Sequence, residues 1–261
     1  MAPRIGFAGD RDISVKILDF ILSQDVKPLV LLIPEPSKAS HDVELVSRCY
    51  FLPPNHILAG TDFRSSRGLS LLQQLELDFI IGIHFPYIVP TSVLSIPKHG
   101  VLNLHPAFLP YNRGWHTPTW AILENTPIGA SLHFMDAGID TGDIIHQKQM
   151  AIFPGDTAHS LYVKLKELEY DVFREAWPQL LSLNISRKPQ LTEKTSTHNR
   201  KDIFEEKVQR INLEEKVVAR KLMQRLRALT TDRLDEAAYY EENGKRYRIQ
   251  LSIHEELGEN E

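Results

Sequence analysis

Predominantly apolar runs of four to six residues recur through roughly the first hundred positions. Ile5-Gly6-Phe7-Ala8 ends at Gly9, and Leu29 to Ile33 is stopped by Pro34 and Pro36. Further runs cover Asp78 to Ile83 and Val101 to Leu104. Runs apolar throughout suit strands buried on both faces, as in parallel sheets. Between the first two, Ile13, Ile17, Phe20 and Ile21 share one helical face, which predicts a helix. Strands alternating with helices predict an α/β fold with an open, mostly parallel sheet covered on both sides. Sites in such sheets form beyond the carboxyl ends of the strands. The segments after Ala8, Ile83 and Leu104 are therefore the places to examine.

The pattern changes after residue 126. Ile128 to Met135 and Ile144 to Ile152 read as strands flanking a glycine-containing loop. Asp156-Thr157 reads as a helix start, and Leu161, Leu165, Leu168, Val172 and Ala176 give a long helix one apolar stripe. Residues 185–200 are polar and aperiodic and read as a linker. Val218, Leu222, Leu226 and Leu229 then mark one face of a helix. Asn243-Gly244, between Tyr239-Tyr240 and Tyr247-Arg248-Ile249, predicts a type I′ hairpin. The expected organisation is a main domain over 1–190 and a small α+β region over 191–261 that ends in this hairpin. The hairpin could pair across a dimer or pack on its own domain.

The chain has 261 residues, 42% hydrophobic and 25% charged, enough to bury a proper core. Its one cysteine, Cys49, rules out an internal disulfide framework and a cysteine-rich zinc site. A net charge of −4 argues against a strongly basic nucleic-acid binder. No apolar run reaches the roughly 18–20 residues of a membrane span, and Met1-Ala2-Pro3-Arg4 is wrongly flanked for a signal peptide. These features predict a reduced, cytoplasmic, soluble protein without membrane or nucleic-acid partners. Basic residues outnumber acidic ones from 194 to 233, and the balance reverses from 234 onward. That split suits a solvated helix face or an anion contact.

The chemistry concentrates in two stretches. In Val101-Leu-Asn-Leu-His-Pro106, Asn103 and His105 are two apart at a predicted strand end, so both side chains take the same face. Later, Met135-Asp-Ala-Gly-Ile-Asp-Thr-Gly-Asp143 carries Asp136, Asp140 and Asp143 in a glycine-punctuated loop. A carboxylate brought near His105 would set its tautomer and raise its basicity. Asn, His and Asp together suggest acyl transfer to an amine. Asn103 would donate to the oxyanion, His105 would take the amine proton, and Asp140 would hold His105. A strand-end histidine satisfied by backbone accounts for the residue types equally well. No Gly-x-Ser-x-Gly elbow occurs, so covalent catalysis has little support. His116, His133 and His146 show no helical His-x-x-x-His spacing, and no metal site is expected.

Asn103-x-His105-x-x-x-Leu109-Pro110, followed by Gly138-Ile-Asp140-Thr-Gly, resembles the signature of the 10-formyltetrahydrofolate-dependent formyltransferases. The resemblance extends from Gly6-Phe7-Ala8-Gly9 to Arg227-Ala-Leu-Thr230. It implies a Rossmann-like formyltransferase domain, a catalytic trio of Asn103, His105 and Asp140, and 10-formyltetrahydrofolate as co-substrate. It also implies that the pterin lies against the loop His84-Phe85-Pro86-Tyr87-Ile88-Val89-Pro90 and against Asp136 to Asp140. Phe85, Pro86 and Ile88 would be walls, with Asp136 and Gly138 in the second loop; core filling is the alternative for Phe85 and Ile88.

Three branches of the family differ in the amine they formylate. The glycinamide ribonucleotide branch has a Gly/Ser-rich loop after the first strand, where this chain has Gly9-Asp10-Arg11-Asp12. The initiator-tRNA branch has a larger basic C-terminal domain, whereas this chain ends acidic. Leu109-Pro-Tyr-Asn-Arg-Gly114, Pro118-Thr-Trp-Ala-Ile122 and His198-Asn-Arg-Lys-Asp202 resemble the branch acting on nucleotide-linked amino sugars. The implied acceptor is a 4-amino-4,6-dideoxyhexose used in O-antigen and lipopolysaccharide synthesis. GDP-perosamine is the first expectation, dTDP-4-amino-4,6-dideoxyglucose the second, and methionyl-tRNA a remote third. Arg11, Tyr111, Trp115 and Arg200 are the candidate nucleotide-sugar contacts; ordinary surface or packing roles would explain them equally well.

Overall fold

The structure is a computed structural model, and it describes residues 2–191 and 195–256. The strands are β1 (Ile5–Gly9), β2 (Val30–Ile33), β3 (Ile57–Ala59), β4 (Phe79–Ile83), β5 (Gly100–His105), β6 (Arg113–Gly114), β7 (Ile128–Phe134), β8 (Ile144–Met150), β9 (Thr197–His198), β10 (Ala238–Glu242) and β11 (Lys245–Ile249). The α-helices are α1 (Arg11–Ser23), α2 (Asp42–Arg48), α3 (Ser66–Gln74), α4 (Thr91–Leu94), α5 (Thr117–Glu124), α6 (Ala158–Ser182), α7 (Glu206–Gln209) and α8 (Ala219–Ala228). The chain forms two compact units. The first comprises Met1–His105, Ala130–Lys148 and Lys166–Leu191; the second comprises Pro106–Gly129, Gln149–Leu165 and Thr192–Glu261.

The first unit is built on a seven-stranded sheet in the order β3-β2-β1-β4-β5-β7-β8. β3, β2, β1, β4 and β5 pair in parallel, and β7 runs antiparallel to β5. This is the expected α/β, mostly parallel architecture. The apolar runs are continuous because each strand feeds two cores. Leu31 and Ile33 join Phe7, Phe79, Ile81, Leu102 and Leu104, with Ile13, Ile17 and Ile21 of α1 and Val172, Phe173 and Trp177 of α6. Val30 and Leu32 point the other way, toward Ile80, Val101, Phe63 and Leu72 of α3. Period-two alternation therefore buries every residue of β2.

The predicted elements shift by a residue or two at their ends, and others had no signal. β3 is three residues at the sheet edge, and α2 and α3 are short, so neither periodicity extends far enough to read. The expected linker at 185–200 is partly structured. Lys188 exchanges backbone bonds with Ile144, and β9 pairs in parallel with β6. Such two-residue pairings use backbone only and leave no hydrophobic pattern. Residues 192–194 of that segment lie outside the described residues, as do Met1 and residues 257–261 of the acidic end.

In the second unit, α8 buries Leu226 on the predicted face, and Leu229 follows directly. Val218 stands at its start, 65% exposed, and so leaves the expected stripe, because the first turn extends beyond the small core around Ile203, Leu226, Leu229 and Ala238. β10 and β11 form the predicted hairpin, with Glu242 opposite Lys245 and the turn at Asn243 (φ 51) and Gly244 (φ 73). Two successive positive φ angles are what a type I′ turn requires. No helix among the described residues is long and apolar enough to cross a membrane.

Candidate active site

Val101, Asn103 and His105 alternate with Leu102 and Leu104 along β5, so the amide and the imidazole share a face. Pro106 follows at once and ends the strand. Across the antiparallel pair, Asn103 faces His133 and His105 faces Ser131. Gly82 lies beside Asn103 in the neighbouring parallel strand. A Cβ at Gly82 would stand 3.0 Å from the Leu102 carbonyl and 3.2 Å from Cε of Met135, so only glycine leaves this corner open.

Asp140 reaches the same face from the loop after β7, held at φ 51. Its Oδ1 accepts from Asn103 Nδ2 at 3.2 Å, and its Oδ2 lies 3.5 Å from His105 Nε2. The loop is shaped around it. Asp136 Oδ1 accepts from the Gly138 amide at 3.0 Å and from the Thr141 hydroxyl at 2.5 Å. Gln190 Nε2 donates to the carbonyls of Asp140 (2.8 Å) and Gly142 (2.7 Å). All of these residues belong to the first unit.

His133 completes the cluster. It is wholly buried, and its Nδ1 lies 2.7 Å from the Phe134 carbonyl. A carbonyl only accepts, so Nδ1 carries the proton. In the neutral ring Nε2 then accepts, and Asn103 Nδ2 stands 3.2 Å from it. Asp140 Oδ1 is 3.5 Å from the same nitrogen. In the sequence His133 stands out only as a candidate metal ligand. Its place opposite Asn103 depends on β7 pairing with β5, which no local pattern encodes.

The structure thus brings Asn103, His105 and Asp140 together. The other candidates divide between the units. Phe85 is half-buried, edge-on to Phe63 with centroids 5.5 Å apart and tilted against Tyr87 at 5.3 Å. Pro86 is exposed, and Ile88 (85%) and Ile139 (49%) expose large apolar surface on the two loops that follow β4 and β7. Arg11 opens α1 at φ 74, with Nε 3.8 Å from Asp10 Oδ2. Burial works to raise the Asp10 pKa, but the Ser40 amide and hydroxyl, together with Arg11, hold it below the ordinary carboxylate value.

Tyr111, Trp115 and Arg200 belong to the second unit. The Arg200 guanidinium lies 5.2 Å above the Trp115 ring, and Tyr111 is half-buried beside them in sequence only. Among the described residues no group of three His, Cys, Asp or Glu could hold a metal ion. His146 pairs with Glu175, while His116 contacts the Arg200 carbonyl and Glu236.

This geometry can be set beside known proteins. The Formyl transferase family profile matches residues 30–177, and the profile of the N-formyltransferase dimerization C-terminal domain matches residues 205–255. A methionyl-tRNA formyltransferase of Myxococcus xanthus is 33% identical over 206 residues, 73% of this chain, which spans only 62% of that protein. A dTDP-4-amino-4,6-dideoxyglucose formyltransferase of Mycobacterium bovis is 29% identical over 179 residues, 69% of this chain and 74% of that one. The crystal structure of a sugar N-formyltransferase from a Shewanella species superposes with a TM-score of 0.81 at 22% identity, covering 98% of this chain and 99% of that chain. The formyltransferase PseJ of Anoxybacillus kamchatkensis, crystallised with UDP-4,6-dideoxy-4-formamido-L-AltNAc and tetrahydrofolate, matches at 27% identity and a TM-score of 0.51 over 66% of this chain and 86% of that one. With the family profile covering more than half of its 261 residues, the chain belongs to the formyl transferase family.

Proposed function

We propose that this protein transfers the formyl group of 10-formyltetrahydrofolate to the 4-amino group of a nucleotide-linked 4-amino-4,6-dideoxyhexose. One observation carries the reading: Asn103 Nδ2 and His105 Nε2 each lie within 3.5 Å of a carboxylate oxygen of Asp140. An amide donor, a base and a carboxylate are what amine acylation without a covalent intermediate needs. The near end-to-end match to a sugar N-formyltransferase supports a sugar acceptor over tRNA.

The two loops suit a flat heteroaromatic. Ile88 and Ile139 expose apolar surface, and the turn next to Ile139 is held by Asp136 Oδ1 on the Gly138 amide. Phe85, Pro86, Ile88, Asp136 and Gly138 would hold the folate, whose contribution is an activated formyl carbon. His105 Nε2 takes the proton of the attacking amine. The charged ring then draws on Asp140 Oδ2, which loosens the hold of Oδ1 on Asn103. The Asn103 N–H so released can turn to the developing oxyanion; collapse then breaks the bond from the formyl carbon to N10, and the proton taken by His105 passes through water to N10, which leaves as tetrahydrofolate. Arg11, Tyr111, Trp115 and Arg200 are the proposed nucleotide-sugar contacts.

GDP-perosamine is the first proposed acceptor, which would place the product in O-antigen and lipopolysaccharide synthesis. The Mycobacterium bovis relative favours a second reading, a dTDP-linked 4-amino-4,6-dideoxyglucose. The C-terminal match supports a homodimer, and a cytoplasmic location accords with nucleotide-sugar chemistry. The test is tetrahydrofolate release from 10-formyltetrahydrofolate with GDP-perosamine, the dTDP sugar and charged initiator tRNA offered separately. Turnover with one nucleotide sugar supports the reading and names the carrier. Turnover with tRNA alone, or with none of the three, overturns it.

A further inference from the structure

The loop after β4 is fastened at its first residue. His84 follows the strand at φ 52, a left-handed conformation that costs energy for any residue with a side chain. Its Nε2 lies 2.8 Å from Oε1 of Glu169 on α6. Glu169 is wholly buried, and its Oε2 has no hydrogen-bond partner among the described residues. A buried carboxylate with so little support needs a charged partner. Burial disfavours charge on His84, but Glu169 outweighs it and raises the His84 pKa, against opposition from Arg11 and Lys166. Those are the charged groups facing the ring, from α6 and from the start of α1. Lys166 is itself tied to Asp12 at 2.9 Å.

The place is telling. Strand order reverses between β1 and β4, and His84 stands at the carboxyl end of β4. Asp10, at the end of β1, donates its amide to the Ile83 carbonyl at 3.2 Å. Phe85, Pro86 and Ile88 all lie within four residues of the fastened position.

We propose that His84 and Glu169 form a proton-linked clasp that holds the loop between β4 and α4 in its folate-binding shape. They are positioning residues, and the proposal rests on the folate reading above. With His84 protonated, the ion pair compensates both the buried carboxylate and the left-handed backbone. With His84 neutral, the ion pair is lost and the loop loosens. The clasp is therefore closed below the ordinary histidine value of 6.5 and opens as pH rises through the raised value of His84.

Hydrogen exchange of residues 84–90 and steady-state kinetics on the full chain test this at about pH 6 and about pH 9. After correction for the base-catalysed intrinsic rate, wild type should show lower protection of residues 84–90 and a higher KM for 10-formyltetrahydrofolate at the higher pH. Glu169→Gln should raise that KM roughly 10- to 100-fold at the lower pH, with kcat and the amino-sugar KM kept and the pH dependence gone. If removing one charge prevents folding, the double variant His84→Gln/Glu169→Gln removes both and should show the same loss of pH dependence. Wild-type exchange rates, folate KM and pH profile in the variants overturn the clasp. A fall in kcat at unchanged folate KM also overturns it. A wild type that binds no folate overturns the functional reading instead, and pH-dependent exchange of 84–90 then judges the clasp alone.

Discussion

Asn103 and His133 are directly opposed across the antiparallel pair of β5 and β7, with Nδ2 3.2 Å from Nε2. The Phe134 carbonyl fixes the His133 tautomer, so the histidine acts as an acceptor that aims the Asn103 amide. Removing it frees that amide to rotate. His133→Ala should lower kcat about tenfold, a misorientation effect rather than loss of a reacting group. Stability should fall by roughly 1–3 kcal/mol, because a wholly buried ring and its hydrogen bonds to Asn103 and the Phe134 carbonyl are lost. Steady-state kinetics and urea unfolding of one preparation read both.

The trio itself should respond more steeply. His105→Ala and Asp140→Ala are expected to abolish turnover in protein that retains its far-UV circular dichroism. Asn103→Ala should reduce kcat by roughly 100- to 1,000-fold if it supplies a main oxyanion donor. Near-normal turnover in folded His105→Ala would sink the proposed mechanism.

Asp156 predicts an acid sensitivity. Burial works to raise its pKa, yet Lys164 at 2.6 Å, the Phe153 amide at 2.8 Å and Ser160 at 2.9 Å bring it below its ordinary 3.8. A depressed carboxylate contributes stability above its unfolded value and loses it as pH falls through the folded one. Asp156→Asn should therefore cost roughly 1–3 kcal/mol near neutrality and flatten the decline of stability below about pH 4. Denaturation midpoints across an acid series would check it.

The lone cysteine is a built-in reporter. Cys49 is fully buried, and burial pushes its thiol up to about 11. A thiol reagent near neutral pH should label it only as the fold opens. Its labelling rate should rise with urea in step with unfolding; rapid labelling of native protein would contradict the burial.

The legible part of the fold was the part with a period. β1, β2 and β4 appear as apolar runs and β5 as a mostly apolar one because both sheet faces are covered, and Asn243-Gly244 announces its turn by needing two positive φ angles. β3, β6 and β9 escaped, since two or three residues bonded through backbone leave no pattern in side chains, and the short helices are too brief to show a period.

The site divides the same way. Strand periodicity alone puts Asn103 and His105 on one face, and the glycine-punctuated loop marks Asp140 as special. Alternation along β5 is a local property and is written in neighbouring residues. That Asp140 comes within 3.2 Å of Asn103, that His133 aims its amide, and that His84 meets Glu169 were decided only by tertiary structure. The first two depend on strand order, and the third on a helix returning to the sheet. Such pairings join residues 30 to 85 positions apart, which no local hydrophobic period records.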